Sequence, residues 1–140
     1  MAKSADPKLG AGPVAKIRAG QHECFDRLVF DIDGPAAEWS ARYVDRVERD
    51  GAGGTVPLRG GASLLIVVIA DSYDSYLPEN RTDVVNVAGW QTFRQVALAG
   101  NFEAHYSIGL GVRARLPFRV FTLDGPGDGS RVVVDVAHQW

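Results

Sequence analysis

From Cys24 to Asp33 the chain alternates, with Leu28, Phe30 and Ile32 on one face and Arg27, Val29, Asp31 and Asp33 on the other. Successive side chains of a strand point to opposite sides of a sheet, so this pattern predicts a half-buried strand. Trp39 to Val47 repeats it, with Trp39, Ala41, Tyr43, Asp45 and Val47 opposing Ser40, Arg42, Val44 and Arg46. Ser63 to Asp71 is apolar on both faces and β-branched, which predicts a central strand covered twice. Further strands are expected over Val84–Ala88, Phe93–Ala99, Glu103–Gly109, Phe118–Leu123 and Arg131–Ala137. Leu28, Phe30, Ile32, Leu64, Ile66, Val68, Val120 and Val134 then form the expected core.

Turn residues separate these segments: Asp33-Gly34-Pro35, Asp50-Gly51, Gly53-Gly54, Gly60-Gly61, Gly100-Asn101 and the run from Asp124 to Gly129. The one candidate helical piece, Asp71 to Tyr76, is a single turn at most, because Pro78 stops it. Asp74 to Asp83 reads as a surface loop, and no segment reads as an interdomain linker. Many short strands between turns give an all-β fold: a single-domain β-sandwich of mainly antiparallel strands, or a barrel.

Composition sharpens this only by exclusion. At 140 residues, with 46% apolar and 23% charged positions, the chain suits one folded domain. A net charge of −2 gives no general reason to bind nucleic acid or an anionic membrane. The longest apolar run, Leu64 to Ala70, is far short of the ~20 residues of a membrane-spanning helix. Met1 to Gly12 lacks the charged-then-apolar form of a signal peptide and reads as a polar start or a linker left after processing. The lone Cys24 excludes an internal disulfide and reads as a small buried hydrophobe.

Candidate chemistry is sparse. His22, His105 and His138 lack the spacing of metal ligands on one element, and each reads as a hydrogen-bonded structural residue. Asp31 and Asp33 stand about 6.6 Å apart on one strand face, a spacing tolerable for paired acid–base carboxylates. A turn-capping Asp before Gly34 is the simpler account. The Asp124–Gly129 loop has oxygens for Ca²⁺ but not the ligand pattern of an EF-hand. Gly109-Leu110-Gly111 lacks the third glycine and following helix of a phosphate loop, and reads as a bulge or turn. No nucleophile elbow is present, so no catalytic residue, metal or cofactor is expected. Trp39, Tyr43, Tyr73, Tyr76, Trp90, Tyr106 and Trp140 include candidates for stacking on sugar faces, with core packing the alternative for Trp39 and Tyr43. Arg115 and Arg119, with Arg27 and Arg131, form a candidate polar strip, or else cross-strand ion pairs. Arg27–Ile32 echoes Arg131–Val136, each an Arg, three apolar residues, Asp and an apolar residue. Each Arg and Asp lie about 13 Å apart along their strand, so any pairing must run across strands.

Two stretches carry more than strand character. One is Arg18 to Asp31, closed by Gly34; the other is Pro117-Phe118-Arg119-Val120-Phe121 followed by Arg131 to His138. Arg42-Tyr43-Val44 and Val56-Pro57-Leu58 before a Gly-rich turn lie between them. Together these resemble the AMIN-like domains of actinobacterial secreted proteins and lipoproteins, from about Arg18 to His138. The resemblance implies a β-sandwich over residues 15–140, behind a flexible lead-in over 1–14. It also implies an extracytoplasmic location, secreted or lipid-anchored, and distant kinship with AMIN domains that target cell-wall hydrolases. The expected function is a non-catalytic envelope binding or localisation module, with peptidoglycan or a related wall glycan as candidate ligand. The alternative is a protein–protein interaction domain that pairs through a sheet edge; an enzyme ranks third. Parity places Arg27 with Asp31 and Arg131 with Asp135 opposite the apolar sets, so Arg27, Asp31, Arg119, Arg131 and Asp135 are the expected ligand-binding face.

Overall fold

The computed structural model describes residues 2–4, 12–49 and 53–140. Its strands are β1 (Ala2–Ser4), β2 (Val14–Gln21), β3 (Phe25–Ile32), β4 (Trp39–Val44), β5 (Val47–Glu48), β6 (Thr55–Val56), β7 (Ala62–Ile69), β8 (Phe93–Phe102), β9 (His105–Val112), β10 (Phe118–Asp124) and β11 (Ser130–Ala137). One sheet runs β1-β4-β7-β9-β8, a second runs β10-β11-β3-β2, and β5 and β6 form a separate hairpin. Every pairing is antiparallel. The chain is an all-β sandwich.

The alternation in the sequence is what closes it. Leu28, Phe30 and Ile32 from β3 and Val132, Val134 and Val136 from β11 meet Leu64, Ile66 and Val68 from β7 and Ile108 and Leu110 from β9. Burying each such aliphatic side chain contributes about 1.5–3 kcal/mol. Of the eight expected core residues, Val120 alone is only partly buried. Phe30 sets its ring edge-on to Tyr106, with centroids 6.5 Å apart, and the Tyr106 hydroxyl escapes the core by donating to the Tyr76 carbonyl (2.8 Å). A second small cluster lies outside the five-stranded sheet, where Val47 and Val56 of the hairpin cover Ala97 and Ala99, with Leu65 against them. That cover explains part of the two-sided apolar character of β7.

The hairpin and the segment that follows it explain two glycines. A Cβ on Gly111 would lie 2.1 Å from the Arg59 carbonyl oxygen, and one on Gly109 would touch Leu58 and Val47. Both residues pair within β9, and the nearby register irregularity belongs to β8, between Phe93 and Gln95. Close approach of the covering segment is what these glycines permit, not a turn.

Three other expectations are corrected. Val84–Ala88 is not a strand: its valines pack on the core, while the Asn86 side chain accepts from the Ala88 amide and bends the chain. Among the described residues, two backbone bonds, Val84 N to Val96 O and Leu98 N to Arg81 O, tie this loop to β8. Gly100 and Asn101 continue β8, and the reversal falls at Glu103 and Ala104, with φ of 51° and 66°. There Ser72 Oγ accepts from the Ala104 amide and Asn101 donates to the Ser72 carbonyl, so tertiary bonds fix a turn the local sequence does not favour. The Trp39–Val47 alternation ends at Val44; Asp45 turns out to solvent and Val47 joins the hairpin.

Of the expected lead-in, Ala2–Ser4 pair with β4 and Val14 opens β2 with its side chain buried. Residues 5–11 and the Asp50-Gly51 turn lie outside the described residues. Asp71 to Tyr76 forms a turn, in which Asp71 accepts from the Tyr73 amide and Ser75 Oγ accepts from the Val14 amide. Cys24 is exposed, against the buried position expected for it, because it precedes β3 rather than entering it.

Candidate functional site

The outward face of the four-stranded sheet is a grid set by strand register. One row reads Arg119, Asp135, Arg27 and Gly20 across β10, β11, β3 and β2; the next reads Phe121, Val133, Val29 and Arg18; the third reads Leu123, Arg131, Asp31 and Lys16. All five sequence-derived candidates therefore share one face. They form three separate arrangements on it.

The first is centred on Asp135, whose side chain is only 3% exposed. Arg27 grips it with two bonds, Nε to Oδ1 (2.7 Å) and Nη2 to Oδ2 (2.9 Å), and Arg119 Nε adds a third at 2.8 Å. Three charge-assisted donors offset the desolvation of this buried carboxylate. The bonds to Asp135 raise the Arg27 pKa above its ordinary value, against the opposing effect of desolvation. Both guanidinium groups also lie over the rings of Phe25 and Phe121, at 5.1–5.6 Å from the centroids.

In the second arrangement, Asp31 does not bond Arg131, its register partner. It takes a fork from Arg18 instead, at 2.8 and 3.1 Å, and those bonds raise the Arg18 pKa. In the third, Arg131 donates to the carbonyls of Gly125 and Asp124. A guanidinium thus sits on the loop oxygens that the sequence offers as Ca²⁺ ligands. Among the described residues, no three His, Cys, Asp or Glu side chains gather as a metal site.

Between these arrangements lies a hollow of ≈ 280 Å³ lined by Arg18, Arg27, Arg131 and His22, with Val29 and Val133 between them. The two valines face outward yet are buried, because long arginine stems lean across them. Gly20, in register with Arg27, contributes no side chain to fill the space. Beyond Asp135 a second groove of ≈ 430 Å³ runs past Phe25, Pro117 and Arg119.

Sequence reasoning missed Arg18 and the strand that carries it. A register shift between Val14 and Lys16 breaks the alternation of β2, so its inward positions, Val14, Ile17 and Ala19, are unevenly spaced. The usable signal was the shorter run Lys16, Arg18 and Gly20 opposite Ile17 and Ala19.

A buried polar group at one end of the sandwich was missed as well. Asp26, fully buried, accepts from the amides of Thr92 and Phe93 (both 2.9 Å). His138 places Nδ1 2.7 Å from Thr92 Oγ1 and donates through Nε2 to the His22 carbonyl (2.9 Å). That donation places a proton on Nε2, and Thr92 Oγ1 in turn donates to the Ala137 carbonyl (3.2 Å). With carbonyl, amide and hydroxyl all engaged, this group joins the two sheets.

A family model described as the AMIN-like domain matches residues 12–138. The chain belongs to the AMIN-like domain family. Among curated proteins and solved structures, nothing matches it. The matched AMIN-like stretch takes in β2 to β11, the charged grid, and His138 at its last position.

Proposed function

We propose that this AMIN-like domain is a non-catalytic, extracytoplasmic module that binds or localises at the cell envelope, with peptidoglycan or a related wall glycan as its ligand. Family membership supports the envelope setting. The observation that carries the choice of surface is the grid on β2, β3, β11 and β10, where five cations (Lys16, Arg18, Arg27, Arg119 and Arg131) accompany two carboxylates (Asp31 and Asp135). This is a net cationic face on a chain whose net charge is −2. Arg27, Asp31, Arg119 and Arg131 meet the ligand there, with Asp135 buried beneath them, the arginines offering donors already oriented by their bonds to Asp135 and to loop carbonyls.

Co-sedimentation with purified peptidoglycan tests this. Arg131→Ala is the informative variant, because among the described residues Arg131 bonds loop carbonyls alone, whereas Arg27→Ala also strips a buried carboxylate. Retention by the wall should fall with Arg131→Ala while the melting temperature stays within a few degrees. Undiminished retention would remove this face from the proposal.

A second reading has its own observation. Among the described residues, β10 has no backbone partner on its outer side along Arg119–Leu123, whereas loop residues bond the edge of β8. An open edge of this kind pairs with an extended segment of a partner protein. Saturable binding of an envelope protein, lost when Pro replaces Val120 or Thr122 and without wall retention, would favour it.

A further inference from the structure

We infer that the hollow between Arg18, Arg27 and Arg131 is a carboxylate subsite, taking an amino-acid carboxylate on a short apolar stem. The inference rests on the envelope proposal for the source of the ligand, which becomes the peptide part of peptidoglycan rather than its sugar strand. Three features of the hollow carry it.

The first is the state of the donors. Arg18 and Arg27 each commit Nε and Nη2 to one carboxylate, and Arg131 commits the same two nitrogens to loop carbonyls. Among the described residues, each leaves Nη1 without a partner. Three guanidinium groups are thus held in place with unused donors, which lowers the ordering cost of binding. Rows of the grid stand about 6–7 Å apart and strands about 5 Å apart, so the three stems rise around Val29 and Val133 from three different rows.

The second is charge. Asp31 compensates Arg18, Asp135 is shared by Arg27 and Arg119, and among the described residues Arg131 has no carboxylate partner. The hollow is therefore in cationic excess and calls for an anionic group. The third is its lining. Leu123 presents methyl groups beside the cations, above the nearly covered Val29 and Val133 of the floor, which suits a small aliphatic side chain next to a carboxylate better than the hydroxyls of a sugar. Its ≈ 280 Å³ holds a group of that size.

The test uses the full chain, ¹⁵N-labelled, and follows backbone amides and arginine Nε–Hε signals by NMR. The probe is N-acetyl-alanyl-alanine with a free C-terminus, compared with its C-terminal amide and with dimethyl phosphate. The acid should shift Arg18, Arg27, Arg131, Gly20 and Val133 saturably, at least ten-fold more tightly than the amide or the phosphodiester. Arg131→Gln should weaken binding at least ten-fold. Gly20→Val should abolish it with every charge in place, since a Cβ there meets only His22, at 3.7 Å. The dispersion of the same spectra reports whether each variant is folded. Equal binding of acid and amide, preference for dimethyl phosphate, or shifts mapping elsewhere would overturn the subsite. Wall retention with no saturable response to the acid would overturn the subsite and leave the envelope proposal standing. A response to the acid without wall retention would support the subsite and remove the envelope proposal.

Discussion

Asp26 is the residue whose replacement tests the architecture most directly. It belongs to β3, yet its Oδ2 accepts the amides of Thr92 and Phe93 at the start of β8, in the opposite sheet. Asp26→Ala orphans both amides in a region where Thr92 and Phe93 are fully buried. An unsatisfied buried donor costs about 1–3 kcal/mol, so the pair amounts to roughly 2–6 kcal/mol. One gain opposes this: Oδ1 is buried without a hydrogen bond among the described residues, 3.9 Å from His138 Nε2, so removing the carboxylate also removes an incompletely compensated charge. A net loss of about 3 kcal/mol is expected, which for a domain of this size lowers Tm by roughly 10 °C. Asp26→Asn keeps a carbonyl oxygen for both amides and discards the charge, and should cost less than about 1.5 kcal/mol.

Denaturant unfolding followed by far-UV circular dichroism and by tryptophan fluorescence measures both variants, since Trp90 stacks on Phe93 beside the site. Hydrogen exchange adds a local readout: in Asp26→Ala the Thr92 and Phe93 amides should lose protection before the centres of β7 and β9 do. A loss below about 1 kcal/mol for Asp26→Ala would refute the view that these two bonds join the sheets. Equal damage from Asn and Ala would show that the charge matters and the acceptor geometry does not.

Phe30→Ala should cost about 3–5 kcal/mol by denaturant unfolding, because the ring is fully buried against Tyr106. Gly111→Ala should also destabilise, since its Cβ cannot coexist with the Arg59 carbonyl; exchange of amides in β5 and β6 should rise with it. Ala104→Gly should stabilise by about 0.5–1 kcal/mol, because a left-handed Ala is strained and Gly is not. Burial pushes the Tyr43 phenol up to about 12, and Tyr106 upward as well. Because the folded pKa lies above the unfolded ~10, this contribution to stability is fully present below pH 10 and is lost as pH rises through about 12. Ultraviolet titration against Tyr43→Phe should show that late phenolate.

The inner faces were legible because one physical rule governs them. Wherever one face of a strand is buried, a slip of one residue would expose every apolar side chain, so Leu28/Phe30/Ile32 and Leu64/Ile66/Val68 announce both strand and orientation. Local pattern fails where something distant decides the conformation. Ser72 and Asn101 impose the turn at Glu103 and Ala104, although Gly100-Asn101 is the better local turn sequence. Val84, Val85 and Val87 are apolar because they plug the edge of the core, and apolar content alone cannot distinguish a plug from a strand.

The outer face was legible by parity and illegible by pairing. Alternation placed Arg27, Asp31, Arg131 and Asp135 together, but the pairs they make depend on which strand lies alongside, and that is a property of the whole sheet. Arg27 and Asp135 are 108 positions apart in the chain and directly opposed in register. Arg131 and Asp31 are equally opposed, yet Asp31 bonds Arg18 because β2 lies on the far side of β3 and brings a second guanidinium within reach. That switch is what separates Arg131 from the others. Had Asp31 taken it, Arg18 would be the guanidinium left without a carboxylate, so the switch decides which arginine is uncompensated and not how many. With Asp31 drawn to Arg18, Arg131 is the arginine of the hollow left without a carboxylate partner among the described residues. Asp31→Asn should then release Arg18 and add a second excess cation. Binding of N-acetyl-alanyl-alanine should tighten, and dimethyl phosphate, also a monoanion, should bind equally well if charge alone were selecting. If the peptide keeps its preference, the apolar lining is selecting alongside the charge. Weaker binding of both probes in a folded Asp31→Asn would mean that Asp31 orients Arg18 for the ligand and that its charge is the smaller effect.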